Sequence, residues 1–226
     1  GNVASAASDT IVFDSVAPSA GTVADGSGTD IDVQSSTSTI QANWSGFSDA
    51  TSGIDLYQWA IGTTSGGTQT MGWTNSGVSG TKTGLSLSDG VTYYVSVKAT
   101  DQAGNTGSAA ISDGVLANTS GPTSNNISIA GGAIYTSSTS VTLTLASTGA
   151  SQMRFRNDSG SWTSYESYAT SKSWTLMNTQ GTRTVWVQFK NTAGNQAAAV
   201  SDTIVLDSVA PTVAVTSPNG GEVWSG

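Results

Sequence analysis

The chain contains neither cysteine nor histidine. Without Cys there is no disulfide and no thiolate nucleophile, so stability has to come from packed β-structure or from bound ions. The lack of disulfides does not fix the compartment, because an oxidising location permits them without requiring them. Without His the commonest general base and the commonest zinc or copper ligand are missing. Charge is also scarce: charged residues make up 10% of the chain, against roughly 25% in an average soluble protein. Basic residues number 7 against 15 acidic ones, a net charge of −8, which argues against binding to nucleic-acid phosphates, since that needs a basic face. All but two of the acidic residues are Asp, the exceptions being Glu166 and Glu222. Asp favours turns and loops and is a calcium ligand, whereas a helical protein would favour Glu. No Ser-His-Asp or Cys-His set can be assembled. The facing carboxylates of a glycosidase have few candidates beyond the two Glu residues and a short-loop pair, Asp30 and Asp32. The chain is accordingly not read as an enzyme. No apolar run is long enough to insert in a membrane, and no signal peptide or lipidation motif is visible.

Ser, Thr and Gly take the place of charge, giving a polar but weakly charged surface of the kind secreted β-proteins carry. An extracellular or cell-surface location is expected. Residues 8–18 read SDTIVFDSVAP and residues 201–211 read SDTIVLDSVAP, with a weaker copy, SDGVLANTSGP, at 112–122. Each copy follows a Gly-Asn pair: Gly1-Asn2, Gly104-Asn105 and Gly194-Asn195. Recurrence of this kind marks a domain array. Each copy reads as a last strand followed by a proline that ends the ladder, at Pro18, Pro122 and Pro211. The expected organisation is a last strand of an upstream domain at 1–17, sandwiches at 18–118 and 119–210, and the first strand of a downstream domain at 211–226. The chain begins and ends within this pattern and is read as an internal slice. The two overhangs are expected to pair with neighbouring copies, in a filament or along one continuous array.

No stretch shows a helical apolar period, while period-two runs are common. Ile40, Ala42 and Trp44 form one such run, Tyr57, Trp59 and Ile61 another, and Tyr93, Val95 and Val97 a third. In the second half, Val141, Leu143 and Leu145 alternate, as do Val185, Val187 and Phe189. Met153 and Phe155 point one way, with Arg154 and Arg156 the other. Trp44, Tyr57 and the Leu87, Gly90, Tyr93 spacing resemble the fibronectin type III superfamily. That resemblance makes Tyr93 a tyrosine-corner residue. The second half resembles the Ig-like repeats of giant bacterial surface proteins. The fold expected is all-β: two tandem immunoglobulin-like, fibronectin III-like β-sandwiches with a strand overhang at each end. Trp44, Tyr57, Tyr93, Val95, Val97, Leu143, Leu145, Val187 and Phe189 are expected to be mostly buried.

In an Ig-type sandwich the B–C and F–G loops lie at the end where the linker enters. For the first domain the linker carries Asp14, the B–C loop Asp49, and the F–G loop Asp101 and Asn105. Three carboxylates meeting there repel one another unless a cation sits among them. Calcium takes 6–8 oxygens, and this arrangement resembles the junction sites of calcium-rigidified bacterial adhesins. At the second joint Asn118 replaces the linker Asp, Ser147-Thr148-Gly149 replaces the acidic loop, and Lys190-Asn191 stands in the place of Asp101. No ion is expected there; Asp207 restores the linker acid at the next joint. The segment from Asp25 through Asp30 to Asp32 also looks like a calcium loop but lacks EF-hand spacing, and reads as a polar loop between the first strands. Trp59, Trp73, Trp162, Trp174 and Trp186 are expected to fill cores and pack hairpins. The function expected is a structural segment of an extracellular stalk, adhesin shaft or filament, stiffened by calcium. The alternative is a carbohydrate- or protein-binding module, for which those tryptophans would form a stacking platform.

Overall fold

Alternation of buried and exposed side chains sets the strands in place. The computed structural model describes residues 9–214. Residues through Ser120 group with Thr192–Asn195 into one compact unit, and Gly121–Asn191 with the residues from Gln196 onward into another. The first unit contains β1 (Thr22–Asp25), β2 (Val33–Gln34), β3 (Ile40–Ser45), β4 (Ile54–Gly62), β5 (Met71–Ser76), β6 (Ser79–Lys82), β7 (Thr92–Asp101), β8 (Ala110–Ile111) and β9 (Val115–Ala117). One sheet has the order β1-β3-β6, and the other β2-β9-β7-β4-β5, with β8 also on β7. Ile40, Ala42 and Trp44 from the first sheet bury against Trp59, Ile61, Val95 and Val97 from the second. Deleting one such side chain removes its transfer energy and leaves a cavity, so Ile→Ala at a site like Ile61 costs about 2–5 kcal/mol.

The second unit repeats the wiring with different residues. It contains β10 (Thr123–Ile129), β11 (Tyr135–Thr136), β12 (Ser140–Thr148), β13 (Gln152–Asn157), β14 (Glu166–Ser167), β15 (Ser171–Thr175), β16 (Gly181–Lys190) and β17 (Val200–Leu206). Its sheets run β10-β12-β15 and β11-β17-β16-β13-β14. In each unit the chain leaves the first sheet after one strand and makes a short parallel pair with the last strand, β2 on β9 and β11 on β17. The helical content among the described residues is one 3₁₀ turn, Ala130–Gly132.

The expected strand phase holds in both units. Trp44, Tyr93, Val95, Val97, Leu143, Leu145, Val187 and Phe189 are all buried. Tyr57 is mostly buried as well, though less completely, at the core margin between the rings of Trp44 (6.2 Å) and Phe47 (5.5 Å). Tyr93 Oη accepts from the Ser88 amide at 2.8 Å, making the expected corner. Met153 and Phe155 are buried, and Arg154 and Arg156 lie on the other face of β13.

Residues 9–17 are a second point of difference. The reading of 4–14 as a strand meets no ladder within this chain over 9–14; residues 1–8 lie outside the described residues. The same words at 201–206 form β17, paired with β16 over seven positions. A strand needs a neighbouring edge to satisfy its amides and carbonyls, and here Ile11 and Phe13 are 96% and 87% exposed. At the other end 211–214 form no ladder, and residues 215–226 lie outside the described residues.

Candidate metal centre

Asp14, Asp49 and Asp101 come from three separate segments of the first unit: the incoming linker, the β3–β4 loop and the end of β7. One carboxylate oxygen from each lies within 4.8 Å of the others. Each residue uses Oδ1 to close its own turn. Asp14 Oδ1 accepts from the Val16 amide at 2.9 Å. Asp49 Oδ1 accepts from Thr51, Ser52 and Gly53 at 3.1, 2.8 and 2.9 Å. Asp101 Oδ1 accepts from Ala103 and Asn105 at 2.9 and 2.8 Å. These are Asx turns, in which a short acidic side chain replaces a backbone carbonyl. The amides of Gly53, Ser52 and Thr51 hold the Asp49 carboxyl below the usual carboxylate range, because they stabilise its charged form.

The loops are tied to the linker as well as to themselves. Ser52 Oγ donates to Asp14 Oδ2 at 2.5 Å. Ser19 N donates to Ser48 O at 2.8 Å, so the linker joins the β3–β4 loop directly after the buried Pro18. Asn105 is in the cluster, but as a donor. Its Nδ2 donates to Asp101 Oδ2 at 2.9 Å and to the Asp14 carbonyl at 3.2 Å. An amide nitrogen cannot ligate a cation, so in this arrangement Asn105 Nδ2 orients two oxygens of the cluster, and its Oδ1 is the atom through which it would ligate. The oxygens suited to a cation are those of Asp14, Asp49 and Asp101, with no nitrogen or sulfur ligand among them. Such an all-oxygen set suits a hard cation of the calcium type.

The repeat shows which feature of Asp14 its turn requires. Asn118 Oδ1 accepts from the Ser120 amide at 3.0 Å, and Asp207 Oδ1 from the Val209 amide at 3.2 Å. The turn therefore forms with a neutral amide as well as with a carboxylate. Asn195, grouped with the first unit, donates Nδ2 to the Asn118 carbonyl at 2.6 Å, as Asn105 does to Asp14. The ladder also corrects one correspondence. Single bridges join Thr100 to Thr106 and Lys190 to Gln196, so Lys190 matches Thr100, and Asn191 stands in the place of Asp101. Lys190 Nζ instead lies 4.2 Å from the Tyr165 ring centre.

A second acidic group, Asp25, Asp30 and Asp113, also brings one oxygen from each within 4.8 Å. The sequence pointed to Asp25 and Asp30 on one loop; Asp113 joins them from the β8–β9 connection. Of the five tryptophans, Trp59 is buried and Trp174 packs on Phe155 at 5.3 Å. Trp162 has both Arg154 and Arg156 about it at 5.0 and 4.9 Å, and Trp186 has Arg156 at 5.2 Å. Trp73 is 36% exposed, with Lys98 at 4.5 Å.

No protein-family model and no curated protein matches the chain. Among solved structures it is similar to the fibronectin(III)-like modules of Clostridium thermocellum CbhA, at 13% identity and a TM-score of 0.48, over 81% of this chain and 93% of that one. It is similar to the chicken CNTN1 FN1-FN3 domains at 15% identity and a TM-score of 0.45, over 84% and 66%. For the central fibronectin-III array of RIM-binding protein the values are 14% and 0.29, over 89% and 73%. By its own strand order, each unit is an immunoglobulin-like, fibronectin III-like sandwich, three strands against six in the first and three against five in the second.

Proposed function

We propose that the chain is a structural repeat segment of an extracellular stalk, adhesin shaft or filament, in which calcium held by Asp14, Asp49 and Asp101 fastens the incoming linker to the first sandwich. The observation that carries this reading is the convergence of three acids from separate segments, at a linker turn that closes equally well with the neutral Asn118. A charge that the turn does not need is retained where two other charges meet it. Repulsion among them disfavours the empty arrangement, and a divalent cation reverses the sign of that contribution. The cation would tie the linker to two loops and remove linker freedom that each residue otherwise keeps, about 1–2 kcal/mol per residue.

The second linker carries Asn118, and Asn191 takes the place of Asp101, so on this reading it holds no ion. Asp207 supplies the acid again at the third. The result is a shaft of stiffened and free linkers. Neighbouring copies meet it through residues 1–17 and 211–226. The exposed Ile11 and Phe13 support this, because the same words form β17 when a sheet edge is present. Catalysis has no part in this reading. The binding-module alternative is weaker, because the ring faces of Trp162 and Trp186 are shared with guanidinium groups and Trp59 is in the core.

Amide hydrogen exchange tests the proposal site by site. Calcium should slow exchange at Val16, Ser52 and Asn105 and leave Ser120 and Val209 unchanged. Uniform exchange at all five, with and without calcium, would remove calcium from the linker.

A further inference from the structure

The first sandwich carries a second acidic group, built around one fully buried carboxylate. Asp25 ends β1 and is 0% exposed. Its Oδ2 accepts from the Gly114 amide at 3.1 Å. Its Oδ1 is equally cut off from solvent and accepts no hydrogen bond of good geometry, with the Ser112 side chain beside the carboxyl. A buried carboxylate oxygen without a partner is costly, and here two more carboxylates, Asp30 and Asp113, approach the same place. The surrounding loop is held firmly. Asp30 Oδ1 accepts from the Asp25 amide at 2.6 Å, and Asn43 Nδ2 donates to the carbonyls of Gly26 and Gly28 at 3.1 and 2.9 Å.

The second sandwich shows the same position without this feature. The Ser-Asp of the repeat falls at Ser112-Asp113 in one unit and Ser201-Asp202 in the other. Asp202 Oδ2 accepts from the amide of Ile129, the last residue of β10, at 2.8 Å. In the first unit the corresponding amide, that of Asp25, is taken by Asp30. Asp113 is left facing two carboxylates.

We propose that Asp25, Asp30 and Asp113 form a calcium site inside the first sandwich, where β1 of one sheet meets the β8–β9 connection of the other. Three carboxylates and no nitrogen or sulfur donor select a hard divalent cation, with carbonyls or water completing the shell. The orphaned Asp25 oxygen supplies a preformed ligand. The cation would cross-link the two sheets at the edge where the last strand breaks into β8 and β9. Consistent with this electrostatic picture, burial above all, and then Asp30 and Asp113, push the Asp25 carboxyl up to about 6, although Ser112 and the Gly114 amide lower it.

The site stands apart from the linker cluster, and the test keeps them apart. Asp49→Asn, Asp101→Asn protein is melted in chelator and in about 10 mM calcium, above the ~1 mM upper end for extracellular calcium modules. Calcium should raise its midpoint by about 5 °C or more. Adding Asp25→Asn should abolish the rise. The same substitution should leave the chelated midpoint equal or higher, since it removes a buried charge. Asp113→Asn, at an exposed position, should also abolish the rise and guards against a misfolded Asp25 variant. No calcium shift in the Asp49→Asn, Asp101→Asn protein, or a shift that survives Asp113→Asn, overturns the site.

Discussion

Asp89 and Asp25 show how the same side chain serves opposite ends in one sandwich. Asp89 accepts from the Thr119 amide at 2.7 Å and from Ser120 Oγ at 3.4 Å, just past β9. Chiefly the Thr119 amide holds its carboxyl below the usual range. A folded-state value below the unfolded one means that ionised Asp89 stabilises the fold above a pH of about 3.9. That contribution disappears as pH falls through the depressed folded value. The wild-type unfolding midpoint should therefore exceed that of Asp89→Asn at neutral pH and converge with it in acid; parallel profiles down to acid would show that the bond carries no charge assistance. Asp25 is pushed the other way by its burial. The sequence made Asp14, Asp49 and Asp101 legible because all three lie on loops that any Ig-type sandwich gathers at one end. It did not reveal the donor role of Asn105, since an amide offers both a donor and an acceptor and only the neighbours decide. Nor did it reveal Asp113, whose relation to Asp25 depends on a break in the last strand.

At the scale of elements, period-two alternation was enough to place the core strands with the right faces inward, because a slip by one residue would have exposed every Val and Leu. It did not reveal every neighbour: Tyr57 continues the alternation of Trp59 and Ile61 and packs on the core edge, where Phe47 from a loop shares its contact. The pairing of β3 with β6 depends on a residue that propensity alone would discourage. Gly80 faces the Trp59 ring so closely that a Cβ there would sit 2.6 Å from two ring atoms. Trp59 is buried and packed 6.1 Å from Trp44, so the ring has no free direction. Gly80→Ala should destabilise the first sandwich by about 1–3 kcal/mol through overpacking, measured by urea unfolding. Gly72→Ala, where a Cβ meets nothing within 4 Å, is the control. Equal stability of the two variants would mean that β6 shifts without cost. The segment 9–14 marks the limit of pattern reading. The words that build β17 build no strand where this chain provides no edge, because a ladder depends on its partner as much as on its residues.

On the scale of the whole molecule, two sandwiches with one wiring and separate cores follow from a sequence that has neither disulfides nor dense charge. Each unit buries its own apolar set, so each sandwich carries its own core and the linkers join self-contained units. Three linker turns are built alike, at Asp14, Asn118 and Asp207, and they differ in the charge they carry. The central claim is that this charge, with Asp49 and Asp101, recruits calcium. Calorimetric titration of calcium addresses it most directly, using Asp25→Asn protein so that only the linker cluster is read. Asp49→Asn, Asp101→Asn in the same background keeps both Asx turns while removing two charges. The account predicts binding with a dissociation constant of about 10⁻⁴–10⁻³ M in the first protein and none in the second. Equal heats in both, or no heat in either, would contradict it.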